Sequence, residues 1–157
     1  MEGRRIDPAN CSVARALSVV GERWSLLIVR EALDGARRFA EFQSRLGIAR
    51  NLLSARLDTL VTAGVLRRVP YREPGDRQRH EYHLTEQGQA LRPTLIALLQ
   101  WADDYLPAPE GPSVVVRHRP DCEEPVTVVL ECAGGHTHLS PSDVHRAPGP
   151  GARFLPA

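Results

Sequence analysis

Three groups of side chains in this 157-residue chain have types and spacings able to do chemistry. One is a set of hydrogen-bond donors. Arg50, Asn51, Ser54 and Arg56 lie in the stretch GIARNLLSARLDTLVTAGVLRRV (47–69), with Arg37 and Arg38 before it and Arg72, Arg77 and Arg79 after it. Guanidinium forks bind paired acceptors such as phosphate oxygens or a guanine edge, and a carboxamide matches an adenine edge. The second group is His118, Cys122, Cys132, His136 and His138, spaced H-x3-C-x9-C-x3-H-x-H. Zinc takes four nitrogen or sulfur ligands in a tetrahedron, and this set could supply them. The third is Cys11, just ahead of an apolar-periodic segment. A thiol at a helix N-terminus ionises more readily and can react with oxidants or electrophiles; the competing reading is a small half-buried residue at an interface. No nucleophile, base and orienting group stand in a recognisable relation, and four of the six histidines lie in the irregular C-terminal part, so no enzyme is expected.

The elements that must position these groups read as mostly helical. Val13, Leu17 and Val20 recur at helical spacing up to Gly21, and Trp24, Leu27 and Ile28 share a face of a segment that stops at Gly35. After an extended RRF, a short helix carries Phe42 and Leu46 up to Gly47. The next helix, 49–63, is apolar on one face through Leu53, Leu57 and Leu60. Its other face carries Asn51, Ser54, Ala55, Asp58 and Thr62, all small or polar. Gly64 stands at its C-terminal end, where a left-handed residue is commonly wanted. Two strands are predicted at 65–71 and 82–84, with EPGD supplying the turn chemistry. Thr85 is placed to cap a long helix ending near Leu106, bent by Pro93. Its stripe of Leu91, Leu95, Leu98, Ala102 and Leu106 is widened by Ile96, Leu99 and Trp101 beyond what one packing face needs.

From residue 107 the texture changes. Nine prolines and five glycines interrupt every helical period up to the end of the chain. The stretches SVVVRHR and PVTVVLEC are predicted as strands of a small hairpin, and RAPGPGARFLPA as a frayed tail. Two domains are therefore expected: 1–106, and a Pro/Gly-rich extension at 107–157.

Charge is uneven along the chain. Residues 37–82 hold ten arginines against five acids, a net of +5, while 83–157 are net acidic; there is no lysine. An arginine-only usage also fits a GC-rich genome. The clustering on the 47–69 stretch, however, reads as a patch that faces an anion. No apolar run is long enough to span a membrane and the start lacks a signal-peptide core, so a cytoplasmic location is expected.

Helix, turn, helix, glycine and a basic hairpin in that order make a winged helix-turn-helix: mainly α, with a β-hairpin wing and a small β-rich C-terminal extension. In that arrangement the second helix enters the major groove with its N-terminal residues at base edges. The small polar face from Arg50 to Ala55 allows a close approach, with Arg50 and Asn51 able to pair with guanine and adenine. Asp58 is a misfit near phosphate and is expected to pair with an arginine. Arg56, at the edge of the apolar face, is open between an internal ion pair and a phosphate contact. Arg37 and Arg38 are open between phosphate and water, and the wing arginines between phosphate and plain solvation. Trp24 and Trp101 read as core and interface aromatics.

The pieces Cys11, GERW (21–24), RRFAEF (37–42), LLSARL (52–57), AGVLRR (63–68) and YHLTEQG (82–88) together resemble the HxlR-type family of winged helix-turn-helix bacterial regulators, related in architecture to the MarR type. The resemblance covers about residues 11–106. It implies DNA contact by the 50–56 face and the wing arginines, a homodimer built from the first and last helices, and, in some relatives, a sensing cysteine near the position of Cys11. Ala49 departs from the Ser or Thr cap usual there. The extension also resembles a zinc ribbon whose later half reads Cys-x2-Cys; Gly135 stands where the second thiolate would be, so a ribbon that folds without metal is preferred over a retained site. The expected partners are double-stranded DNA, a second copy of the chain and a small-molecule or thiol-reactive effector, with no cofactor. The rival reading is a dimeric small-molecule-binding protein on the same scaffold, with DNA binding lost or secondary.

Overall fold

The computed structural model describes residues 7–75, 77–120 and 122–155. Helices α1 (Ser12–Val20), α2 (Arg23–Leu33), α3 (Phe39–Leu46) and α4 (Arg50–Thr62) are followed by an antiparallel hairpin of β1 (Leu66–Tyr71) and β2 (Arg79–Leu84), a short α5 (Glu86–Gln89) and α6 (Arg92–Tyr105). The chain divides into two compact units, Met1–Arg92 with Gly151–Ala157, and Pro93–Pro150.

In the first unit the apolar faces meet as their spacing predicts. Ile28, Val29 and Ala32 of α2, Phe42 of α3, and Leu53, Leu57 and Leu60 of α4 are fully buried, with Val65 and Leu66 at the wing's base. Phe42 meets Tyr82 of β2 edge-on, with ring centroids 6.4 Å apart. The hairpin register runs from Leu66 opposite Leu84 to Tyr71 opposite Arg79, so β2 starts earlier than the expected Tyr82. Gly47 (φ +61) ends α3, and Gly64 (φ +76) turns the chain from α4 into the wing. These two turns fix the angle between α3 and α4 and the exit of the hairpin.

The base of the wing is closed by the segment after β2. The Thr85 hydroxyl donates to the Gly64 carbonyl at 2.5 Å and accepts from the Gly88 N–H at 3.2 Å, while the Gln87 amide donates to the Ala63 carbonyl. A Cβ on Gly88 would lie 2.3 Å from the Val65 carbonyl oxygen, so only glycine permits this approach.

The start of α3 is held by a side chain within its own first turn. Glu41 accepts the backbone N–H groups of Arg37 (2.7 Å) and Arg38 (3.0 Å), and these bonds hold its carboxyl below the usual glutamate range. A depressed folded value means that the contribution is complete above about pH 4.5, the ordinary value, and is lost as pH falls through the folded one. Glu41→Gln is therefore expected to lower the melting temperature by about 3–6 °C at neutral pH, for a loss of ~1 kcal/mol. The gap should close well below pH 4.5; thermal melts that show the same gap at both pH values would refute this account.

Two expectations for the last helical region and the extension are corrected. The long helix is interrupted at Ala90–Leu91, so Pro93 does not bend a helix but sits in the first turn of α6, where its missing N–H costs nothing. The extension is not β-rich: among the described residues it holds an isolated bridge, Arg117 to Pro125, flanked by backbone bonds from Val126 N–H to Val116 and from Leu139 N–H to Leu130. Pro125, the first residue of PVTVVLEC, has no N–H to give to a ladder, and Pro112 and Pro120 bound SVVVRHR on either side. The tail is also tied down in part. Arg153 N–H donates to the Asn10 side chain, and its carbonyl accepts the Asp7 N–H.

Candidate nucleic-acid interface

Helix α4 presents two faces. Leu53, Leu57 and Leu60 are in the core, whereas Arg50, Asn51, Ser54, Ala55 and Asp58 are exposed on the opposite side. Arg50, Asn51, Ser54 and Phe39, the first residue of α3, line an open depression. The Arg50 guanidinium lies 5.1 Å from the Phe39 ring centroid, a cation–π contact that holds the long side chain over the mouth of the depression. Ala49 occupies the N-cap position in extended conformation and makes no side-chain cap bond. No shifted start or Asn51 cap replaces it, so the first-turn N–H groups of α4 point outward unbonded by a capping side chain, an arrangement suited to a phosphate.

The wing supplies the second part. Arg72, Arg77 and Arg79 are exposed around the turn joining β1 to β2. Asp58, the expected misfit, forms an ion pair with Arg68 of β1, which removes an unpaired negative charge from the exposed face of α4.

Three arginines that the sequence leaves open between phosphate and another environment have their heads engaged within the protein. Arg37 donates to the carbonyls of Ala32 (2.6 Å) and Ala36 (2.8 Å), closing the C-terminus of α2. Arg38 bonds Glu73 (2.8 Å) and Glu81 (3.3 Å) and stacks on Tyr71 at 4.5 Å. Arg56 pairs with Glu22 at 3.0 Å, and its Nε is buried, so of its two readings the internal ion pair is the one present. For Arg38 and Arg56 acids distant in sequence decide the outcome, and no local spacing reveals them; for Arg37 nearby backbone carbonyls do. Phe39 was missed; its signal was an aromatic directly after two arginines and outside the 42, 46 apolar spacing.

The other candidate sites fare differently. Cys11 is half-buried at the N-cap of α1. In the extension, His118 Nδ1 meets Cys122 Sγ at 3.0 Å, and Cys132 Sγ meets His136 Nδ1 at 3.2 Å. These are two separate donor pairs: among the described residues no three His, Cys, Asp or Glu side chains converge, His138 included. The donor set as arranged does not fit a tetrahedral zinc ion.

Residues 19–110 match the model of the family described as HxlR-like helix-turn-helix. An uncharacterized HTH-type transcriptional regulator of Mycobacterium tuberculosis is 48% identical over 140 residues, spanning 89% of this chain and 87% of the relative. The crystal structure of PA1607, a transcription-factor candidate, superposes with a TM-score of 0.77 at 44% identity, over 88% of this chain and 95% of the other. The reduced form of the transcriptional regulator YodB from Bacillus subtilis superposes with a TM-score of 0.53 at 31% identity, over 60% of this chain and 93% of the other. The core helices, the turn between α3 and α4, the hairpin and these likenesses agree: the chain belongs to the HxlR-like family of winged helix-turn-helix transcriptional regulators, which are not enzymes.

Proposed function

We propose that this regulator acts as a homodimer on a pseudo-palindromic operator, each copy laying α4 in a major groove and its wing along the adjacent backbone. The observation that carries the DNA-binding mode is the exposed face of Arg50, Asn51 and Ser54 beside Phe39. Small side chains there admit the groove floor, and donors that match base edges stand at the helix's N-terminal end. Arg72, Arg77 and Arg79 are assigned to phosphates, which position the protein without reading sequence. Arg37, Arg38 and Arg56 are left out of the contact set because their donors serve the fold. The test is binding to the DNA upstream of the protein's own gene and its neighbour. Affinity should fall steeply with salt, with a slope near −0.9 per phosphate contacted. Binding that ignores salt and sequence would favour the rival, a small-molecule-binding scaffold.

The dimer is supported by uncovered apolar surface. α1 exposes Val13 and Leu17, and α6 buries no residue while exposing Leu98, Trp101 and Tyr105, with Leu106 exposed just past its end. Single exposed leucines are ordinary, but two helices each with an open apolar stripe call for a partner. A small-molecule or thiol-reactive signal is proposed to act at this surface. Cys11 begins α1, so a change at its sulfur would be felt on the helix that carries Val13 and Leu17, and YodB is a family neighbour for which a reduced form is distinguished. Among the described residues no helix is long and apolar enough to cross a membrane, and a cytoplasmic site of action is proposed with the DNA.

The extension is proposed to carry no resident metal. Purified protein is expected to hold well under one equivalent of zinc, with a melting curve that chelator leaves unchanged. Stoichiometric zinc that disappears in the Cys122→Ser, Cys132→Ser double variant would reinstate the four-ligand site.

A further inference from the structure

Arg38 is the residue on which the wing meets the rest of the first unit. Its backbone is fixed twice, by the Glu41 carboxylate on its N–H and by a β-bridge to Glu81. Next to it, the Tyr82 N–H donates to the Arg37 carbonyl at 2.7 Å. These bonds tie only the middle of β2. The side chain goes further: Nε bonds Glu81, Nη1 bonds Glu73 just past the end of β1, and the guanidinium lies over the Tyr71 ring. Tyr71 and Arg79 are the outermost paired residues of the hairpin, so Arg38 reaches to where the ladder ends and the arginine-bearing turn begins. The second oxygen of Glu81 is held by His83 Nε2 at 2.9 Å, which keeps the carboxylate aimed back at Arg38.

From this geometry we infer that Arg38 is a positioning residue that sets the wing's angle to α4, and that the acids Glu73 and Glu81 strengthen DNA binding by holding it. The inference rests on the DNA-contacting roles given above to α4 and the wing. Its sign is opposite to simple electrostatics. An acid on a face that meets phosphates normally repels them, so removing it should tighten binding. Here the repulsion is offset because both carboxylates are spent on one guanidinium, and the clamp keeps the turn between Tyr71 and Arg79 where it can reach the backbone. A lone exposed ion pair would contribute almost nothing, but a network of two carboxylates, one imidazole and an aromatic face around one planar cation restrains more.

The experiment compares Glu73→Ala, Glu81→Ala, Arg38→Ala and the Arg38→Ala, Glu81→Ala double variant in two readouts. The first, without DNA, is hydrogen–deuterium exchange. All four variants are expected to exchange faster in 70–80 while α4 stays as in the wild type. The second is DNA binding at fixed salt. Glu73→Ala and Glu81→Ala are expected to bind about 3- to 10-fold more weakly despite losing a negative charge, and the double variant should be no worse than Arg38→Ala alone. Tighter binding by Glu73→Ala, whose half-exposed side chain can be removed without harming the fold, would overturn the inference and make the acids a brake on Arg38. Unchanged exchange in 70–80 would overturn it as well. If exchange rises as expected while the wild type itself binds no DNA, the clamp stands and the DNA-binding reading fails.

Discussion

Asn51→Ala is expected to bind the operator about 5- to 150-fold more weakly than the parent protein, a loss of ~1–3 kcal/mol, and to bind random DNA almost unchanged. The reason is positional. Asn51 is exposed in the first turn of α4, on the side opposite Leu53 and Leu57, and its carboxamide is free of the cation–π contact that occupies Arg50. In the proposed docking it would offer one donor and one acceptor to an adenine edge, and truncation would leave that edge unpaired. Arg77→Ala is expected to behave in the opposite way. Its guanidinium is exposed at the wing's turn, so its loss should weaken operator and random DNA together and lower the salt slope by about one unit for the lost phosphate contact. Fluorescence anisotropy on both duplexes across a salt series separates the two behaviours. A wing variant that relaxes sequence preference while Asn51→Ala keeps it would exchange the roles assigned to helix and wing.

The exposed face of α4 is legible in the sequence because it rests on local periodicity. Leu53, Leu57 and Leu60 recur at helical spacing and all are fully buried, which alone leaves Asn51, Ser54 and Asp58 facing out. Turn chemistry places the wing, and glycines mark its entry. What local reading cannot reach is the partner of a long side chain. Arg38 and Arg56 carry the same charge as Arg77, yet Glu81 and Glu22, more than thirty residues away in sequence, take up their guanidinium groups. The same limit governs the extension. Its cysteine and histidine spacing suggests a four-ligand set, but whether two turns converge depends on the tertiary path of the chain, and among the described residues the two His–Cys pairs stay apart. Pro93 shows the complementary case: a residue with an unambiguous local effect was assigned to a helix middle when the break two residues earlier makes it a helix start.

Charge placed on the uncovered stripes has the largest effect of all. Leu17 of α1 and Trp101 of α6 are 56% and 52% exposed in the single chain, so Leu17→Glu and Trp101→Glu cost the isolated fold little. In a dimer they would bury an unpaired carboxylate, at a cost large against the binding free energy of an ordinary interface. The wild type is therefore expected to scatter light as a dimer at tens of micromolar, and each variant as a monomer with a retained melting transition. Operator affinity falls with the interface. Two recognition helices on one rigid dimer make the second half-site contact intramolecular, and losing that linkage removes ~10²- to 10⁴-fold in apparent affinity. Arg50, Asn51 and Arg77 are untouched, so binding of the monomer to random DNA keeps its salt dependence per chain. A two-fold axis would also dictate the operator: half-sites separated by about one helical turn, ~34 Å, or a multiple of it, with inverted symmetry. Inserting five base pairs between the half-sites rotates one by half a turn and should weaken the wild type about as much as Trp101→Glu does, while leaving the monomeric variant indifferent. A wild type that scatters as a monomer, or a Trp101→Glu protein that remains dimeric and sensitive to half-site spacing, would show that these stripes are covered by something other than a second copy of the chain.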